Sequence, residues 1–341
     1  MNHQLAERLS GFLAAIRILP RRMLLDTPGV AATVPMLRGV WGAALHDLEP
    51  EVYASVFAPN QEAGAGANGR SAAPANPPAA TQWNRSQASA NRDRRTPAVM
   101  ASGTAVACYI LRPAPPDPEF APAVDWLLIG PAVAQDVTLC RAWDVASGMG
   151  LGPQRRRFHL RRTVGLHPEG KLAEPASAWP LNESRWWGCA AKNSRSTSPH
   201  GMAVLAPDQP CRLVFPSPLR LIHRKRLIQS PTLADVVVAA CRRVQAYLPV
   251  EHQAAWEPIR RQALEQARRT PTGRWQGQRL DLHRYSASQR ADLELRGVTG
   301  FLPLPRGPGE LWPLLAAARW LHLGKGTVMG MGQMEVEEMG H

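Results

Sequence analysis

The predicted order of elements repeats once along the chain, and that repeat constrains the fold more than any other feature. In the first copy an apolar stretch from Phe12 to Leu19 meets the basic turn Pro20-Arg21-Arg22. A helix over 34–47 follows, because Leu37, Trp41, Ala44 and Leu45 recur at helical spacing. Val106 to Leu111 reads as a strand ended by Arg112-Pro113, and Val124 to Ile129 as another closed by Gly130-Pro131. Helix-compatible residues 132–145, the glycines of 148–152 and an arginine-rich strand from Arg155 to Val164 complete the copy. The second copy opens with Cys211 to Phe215 and Leu219 to His223, a strand bent or paired at Pro216-Ser217-Pro218. Helices at 232–248 and 253–268 and strands near 273–284 and 293–303 come next. A helix at 310–322 and an alternating strand over 328–336 end it, joined through Gly324-Lys325-Gly326. Each copy reads β-α-β-β-α-β, the ferredoxin-like motif, with the first helix doubled in the second copy. The expected fold is therefore α+β, with tandem ferredoxin-like domains at 1–200 and 201–341. The length of 341 residues agrees with two domains.

Two segments depart from this pattern. Residues 58–99 are rich in Ala, Gly, Asn, Pro and Ser and poor in large apolar side chains, so they read as an insertion or a mobile arm of the first domain. Within it Arg85, Arg92 and Arg95 are seven and three apart with Arg94 beside them. A helix over 81–95 would line them on one side; isolated, such a helix is marginal, and phosphate contacts on a duplex can order it. The other reading of this arm is an unstructured insertion. Residues 165–200 are also irregular, and there Trp186-Trp187 beside Arg185 reads equally as a stacking platform for unpaired bases or as core.

Charge points to the class of partner. The net charge is +13, and only four of the forty basic residues are lysine: Lys171, Lys192, Lys225 and Lys325. Arginine supplies bidentate phosphate contact and stacks on bases. An arginine excess on a chain that is 45% hydrophobic predicts a folded protein with a polyanionic partner. No apolar run approaches the roughly 20 residues that a membrane span needs. The N-terminus lacks a secretory pattern, so a cytoplasmic protein is expected. Five widely spaced cysteines (Cys108, Cys140, Cys189, Cys211, Cys241) with no CxxC or Cys/His cluster predict reduced thiols and no metal site.

The closing passage from Trp320 to Val336, with glycines at 324, 326, 330 and 332, resembles the glycine-rich C-terminus of the CRISPR RAMP superfamily. More narrowly it resembles the endoribonucleases that cut CRISPR repeat RNA into guides. Leu37 to Leu45 is similar to that family's first-helix pattern, and Gly148-Met149-Gly150-Leu151-Gly152 to its first glycine loop. Leu282 to Ser286 and Arg296 to Gly300 are similar to its strand pair before the last helix. The arginine-rich insertion resembles the version found in type IV systems. The resemblance implies a cofactor-free, metal-independent cut in which a 2′-hydroxyl attacks the adjacent phosphate, leaving a 2′,3′-cyclic phosphate and a 5′-hydroxyl. It also implies that the mature crRNA stays bound within an effector complex with other CRISPR subunits. The rival reading is a non-catalytic RAMP subunit that only binds guide RNA there.

Strand scission of this kind requires proton transfers and stabilisation of charge on the phosphorane. His46 is the first candidate for the proton transfers, because the family often places a catalytic histidine near the first helix. Its place at the end of a helix also suits an imidazole that merely faces the helix dipole. Arg38 is the candidate for charge stabilisation; alternatively it pairs with Asp47 or Glu49. The two lie eight residues apart on one helix, about 80° from each other around its axis. The candidate RNA contacts are Arg21, Arg22, Arg85, Arg92, Arg94, Arg95, Arg155, Arg156, Arg157, Arg224, Arg242 and Arg243, with Gly324, Lys325 and Gly326. Gly324 and Gly326 would let backbone approach a phosphate with Lys325 as a point charge. Gly324 also reads as an ordinary helix C-cap.

Overall fold

The computed structural model describes residues 4–29, 31–57, 106–114, 122–185, 187–188, 203–286 and 291–339. The insertion at 58–99, with Arg85, Arg92, Arg94 and Arg95, lies outside the described residues, as do the side chains of Trp186 and Trp187.

The chain begins with α1 (Gln4–Leu13), whose Leu5, Leu9 and Leu13 recur every four residues and are buried. The first module then runs β1 (Arg17–Asp26), α2 (Val34–Leu48), α3 (Pro50–Val56), β2 (Tyr109–Pro113), β3 (Ala123–Ile129), α4 (Asp136–Met149) and β4 (His159–Leu166). Its antiparallel strands lie in the spatial order β2-β3-β1-β4. The second module runs β5 (Cys211–Leu219), α5 (Leu233–Tyr247), α6 (Val250–Arg269), β6 (Gln276–Ser286), β7 (Ala291–Leu304), α7 (Trp312–Leu321) and β8 (Glu335–Glu338). Its sheet, β6-β7-β5-β8, has the same permutation. Both halves are thus ferredoxin-like. Local signals set the helix starts: Thr33 accepts from the Met36 amide ahead of α2, and Thr232 and Asp235 close a capping box on α5.

The first sheet is covered on both faces. Alternate residues Met23, Tyr109, Leu111, Trp126 and Leu128 pack with α2 and α4 around Trp41, which stacks on Trp143. The intervening Ile18, Ile110, Leu127 and Ile129 join a second core built from α1, α5, α6, α7 and the inner residues of β5 and β7. The two modules therefore share buried apolar surface, with α1 against α6 and α7.

Three expectations need correction. Pro20-Arg21-Arg22 is not a turn but the middle of β1, flanked by Ile18-Leu19 and Met23. The strand tolerates Pro20 because its missing N–H falls in a gap: Arg17 and Ile18 pair with Pro180 and Trp179, and pairing to β4 resumes only at Arg21. The strand expected from Arg155 starts at His159, because reciprocal backbone bonds between Leu151 and Arg156 (2.7 and 3.0 Å) close a turn with Arg155 at φ 49°. The alternating strand expected over 328–336 is a loop as far as Met334. Gly330 (φ 79°) and Gly332 (φ 69°) adopt left-handed backbone, which turns the chain out of the extended conformation. Among the described residues no helix is long and apolar enough to cross a membrane.

Candidate nucleic-acid interface

The glycine-rich loop between α7 and β8 is braced from three sides. His322 ends α7 with φ 53° and is fully buried. Burial, and then the Arg112 and Arg243 guanidiniums, push its pKa well below the ordinary value, so the ring is neutral. Its Nδ1 lies 3.0 Å from the Met331 carbonyl and donates to it. The Leu323 amide donates to the Gly332 carbonyl (2.9 Å), while the Gly332 and Lys325 amides donate to the carbonyls of Pro218 and Arg220 (3.0 Å each). The Gln333 amide donates to Ser217 Oγ at 2.8 Å. The loop is thereby tied to the end of β5. Its far side rests on the first module: a Cβ at Gly330 would stand 3.2 Å from the Leu111 carbonyl, and Val328 packs on the core around Trp41.

The close approaches that these glycines permit are to the chain itself. A Cβ on Gly324 (φ 81°) would meet the Arg220 carbonyl at 2.5 Å, and one on Gly326 (φ 81°) the Met331 sulfur at 2.6 Å. The helix cap falls on His322, two residues before Gly324. Lys325, between the two glycines, is exposed.

Arg38 lies half-buried on α2. Its Nε donates to the Tyr109 hydroxyl at 2.8 Å, and its guanidinium sits 5.7 Å above the Phe57 ring; it pairs with neither Asp47 nor Glu49. Tyr109 is fully buried, and burial raises its pKa so that the hydroxyl stays protonated. His46 is 62% exposed, with Nδ1 3.6 Å from an Asp47 carboxylate oxygen and its ring edge-on to Tyr53. Eight residues of helix separate the Arg38 and His46 backbones by about 12 Å along the axis, so the fold does not bring the two together.

The basic residues sort by burial. Arg21 is bidentate to Asp136, and Arg22 donates to Asp125 at 2.8 Å; both arginines are 8% exposed. Arg243 donates twice to the Leu321 carbonyl at the end of α7 (3.1 and 2.9 Å) and lies over Tyr247. These three hold the protein together rather than offer charge outward. Arginine suits such interior sites because its donors satisfy a carboxylate or a helix-end carbonyl in fixed geometry. Arg155, Arg157, Arg224 and Arg242 are exposed and have no carboxylate partner among the described residues, whereas Arg156 donates to the Gly29 carbonyl at 2.9 Å. Just before β4 Phe158 is buried, while on the strand Arg161 and Arg162 reach Asp26 and Glu174. Sequence reasoning missed Tyr109, Arg112 and His322 as organisers of this region. A hydroxyl in an otherwise aliphatic strand and an imidazole beside a glycine loop were the available signals for two of them; Arg112 had none.

Residues 213–334, which include the braced glycine loop, match the family model of the CRISPR-associated endoribonuclease Cas6. The chain resembles Cas6. Among solved structures, a Cas6 in complex with its product covers 96% of this chain and 100% of its own at 15% identity, with a TM-score of 0.50. A Thermus thermophilus Cas6 gives 15% identity over 95% of this chain and 99% of its own, with a TM-score of 0.48. No curated protein matches the chain. The likeness to the Cas6 product complex establishes the tandem ferredoxin-like fold, and the family model places the Cas6 signature on the second module and its glycine loop.

Proposed function

We propose that the chain binds the stem-loop of CRISPR repeat RNA and cuts the precursor into mature crRNA without a metal ion. The observation that carries this reading is the glycine loop matched by the Cas6 model, seated against α2 and β2 of the first module with Lys325 exposed at its turn. The ribose 2′-oxygen forms a bond to the adjacent phosphorus, its proton passing to a base, and the bond from phosphorus to the 5′-oxygen breaks as that oxygen takes up a proton. This yields a 2′,3′-cyclic phosphate and a 5′-hydroxyl. His46, exposed at the end of α2, is the proposed proton-transfer residue. Arg38, oriented by the Tyr109 hydroxyl, is proposed to stabilise charge on the phosphorane. The stem is held chiefly through phosphates, since A-form RNA hides its base edges in a deep, narrow groove. Retention of the product within a complex with other CRISPR subunits is part of the same proposal.

The distance of about 12 Å between Arg38 and His46 along α2 favours a second reading, a RAMP subunit that binds guide RNA without cutting it. Alanine variants separate the two. Arg38→Ala and His46→Ala are each expected to lower the single-turnover cleavage rate of repeat RNA by about 10²-fold or more, with stem-loop affinity within a few-fold. Cleavage unaffected by both would place the chemistry elsewhere; no cleavage by the parent protein, with tight stem-loop binding, would support the second reading.

A further inference from the structure

Immediately after β5, Ile222–His223 and Arg226–Leu227 pair as a minimal hairpin around the two-residue turn Arg224-Lys225. Both turn residues have positive φ, 45° and 65°. Two-residue turns of this hand favour Asn-Gly or Gly-Gly, because a Cβ is disfavoured at left-handed backbone. Among the described residues only four non-glycine residues have positive φ, and two of them are these neighbours. The sequence therefore accepts strain at both positions and places a long cationic side chain at each. Strain of this kind is retained where the surroundings over-determine it, and it concentrates at binding sites.

The surroundings do fix it. The Ile228 amide donates to the Leu221 carbonyl (2.9 Å) at the hairpin base, and Leu221 is buried. One residue earlier Arg220 pairs with Gly324, and its carbonyl accepts from the Lys325 amide. The hairpin thus rises from the glycine loop itself. His223, Arg224, Lys225 and Arg226 are all exposed, and no acidic residue occurs in the sequence between Asp208 and Asp235. Four residues of extended chain from Arg220 to Arg224 set the tip about 13 Å from the base. With one charge per roughly 3.4 Å along each nucleic-acid strand, cations spread over that distance meet several phosphates rather than one.

We infer that the Leu221–Ile228 hairpin is a preformed cationic finger that, with Lys325 at its base, tracks the phosphate backbone of a bound RNA strand. The inference rests on the RNA-binding reading above and adds a site to it. The strain and the charge make separable predictions. Arg224→Asn/Lys225→Gly gives the turn its preferred residues and removes both charges, so melting temperature is expected to rise by roughly 2–4 °C. Affinity for a labelled polyuridine strand and for a labelled RNA stem-loop is expected to fall about tenfold at 0.1 M salt. The slope of log K against log salt is expected to become shallower by about 1.5, the loss of two phosphate contacts. Arg224→Gln/Lys225→Gln keeps the strain, and is expected to lose the same affinity with no gain in melting temperature. Unchanged affinity and slope in both variants, with the parent protein binding both probes, would overturn the finger while leaving the RNA-binding reading intact. A parent protein that binds neither probe would overturn both.

Discussion

Asp125→Ala is expected to lower the unfolding free energy by about 3–5 kcal/mol, measured by urea denaturation. Strand register explains why one carboxylate matters so much. Asp125 on β3 stands directly opposite Arg22 of β1 on one side and Arg112 of β2 on the other. It accepts from Arg22 Nε at 2.8 Å and from Arg112 Nε at 3.2 Å, and it is fully buried. Arg112 also donates to the Arg319 carbonyl and lies 5.4 Å over the Trp320 ring, so the cluster sits where β2 meets α7. Truncation would leave the nearly buried Arg22 without its carboxylate, and Arg112 with only the charge of Glu335 beside it, at the seam between the modules. Asp125→Asn keeps an acceptor and is expected to cost less. A loss below about 1 kcal/mol for the alanine variant would mean that water reaches the cluster and solvates it.

Gly332→Ala is expected to destabilise the fold by about 2–5 kcal/mol, the sum of a left-handed backbone penalty and overpacking. A Cβ there would lie 1.8 Å from the Leu323 carbonyl oxygen, with φ at 69°. The loop has no room to yield, because the Gly332 amide and carbonyl are both bonded, to Pro218 and Leu323. The contrasting variant is Gly39→Ala, mid-helix and exposed on α2 with nothing within 4 Å of the new Cβ. It is expected to stabilise by about 0.5–1 kcal/mol. Equal responses at the two positions in urea denaturation would contradict this account of the loop.

Much of the fold was legible because periodicity follows burial. Leu37, Trp41, Ala44 and Leu45 face one core and predict α2 to within a residue, and β3 was equally clear from an apolar run that only Asp125 interrupts. Reading Arg21-Arg22 as a turn failed because the carboxylates that neutralise these residues, Asp136 and Asp125, are over a hundred positions away in sequence. The final strand failed for a different reason. Gly330 and Gly332 fall in step with Val328, Met334 and Val336 and so imitate strand alternation, yet glycine adopts without steric cost the left-handed backbone that makes this segment a loop. The helix Gln4–Leu13 carries its signal in Leu5, Leu9 and Leu13, but its last two residues, Phe12 and Leu13, run into the apolar stretch that continues to Leu19 and so blur its end with the strand that follows. At the candidate site, Arg38 and the glycine loop are candidates that the sequence names, whereas the groups that hold them, Tyr109 and His322, emerge only when strand and helix ends meet in space.

In the proposed function this chain uses the RNA's own 2′-hydroxyl to cut a repeat stem-loop. The most direct measurement is single-turnover cleavage of repeat RNA in excess chelator, beside a substrate carrying one 2′-deoxy nucleotide at the scissile position. The account predicts cleavage in chelator with 2′,3′-cyclic phosphate ends, and a deoxy substrate that binds within a few-fold of the parent RNA and stays whole. Cleavage that appears only when magnesium is added, or a deoxy substrate that is cut, would contradict it.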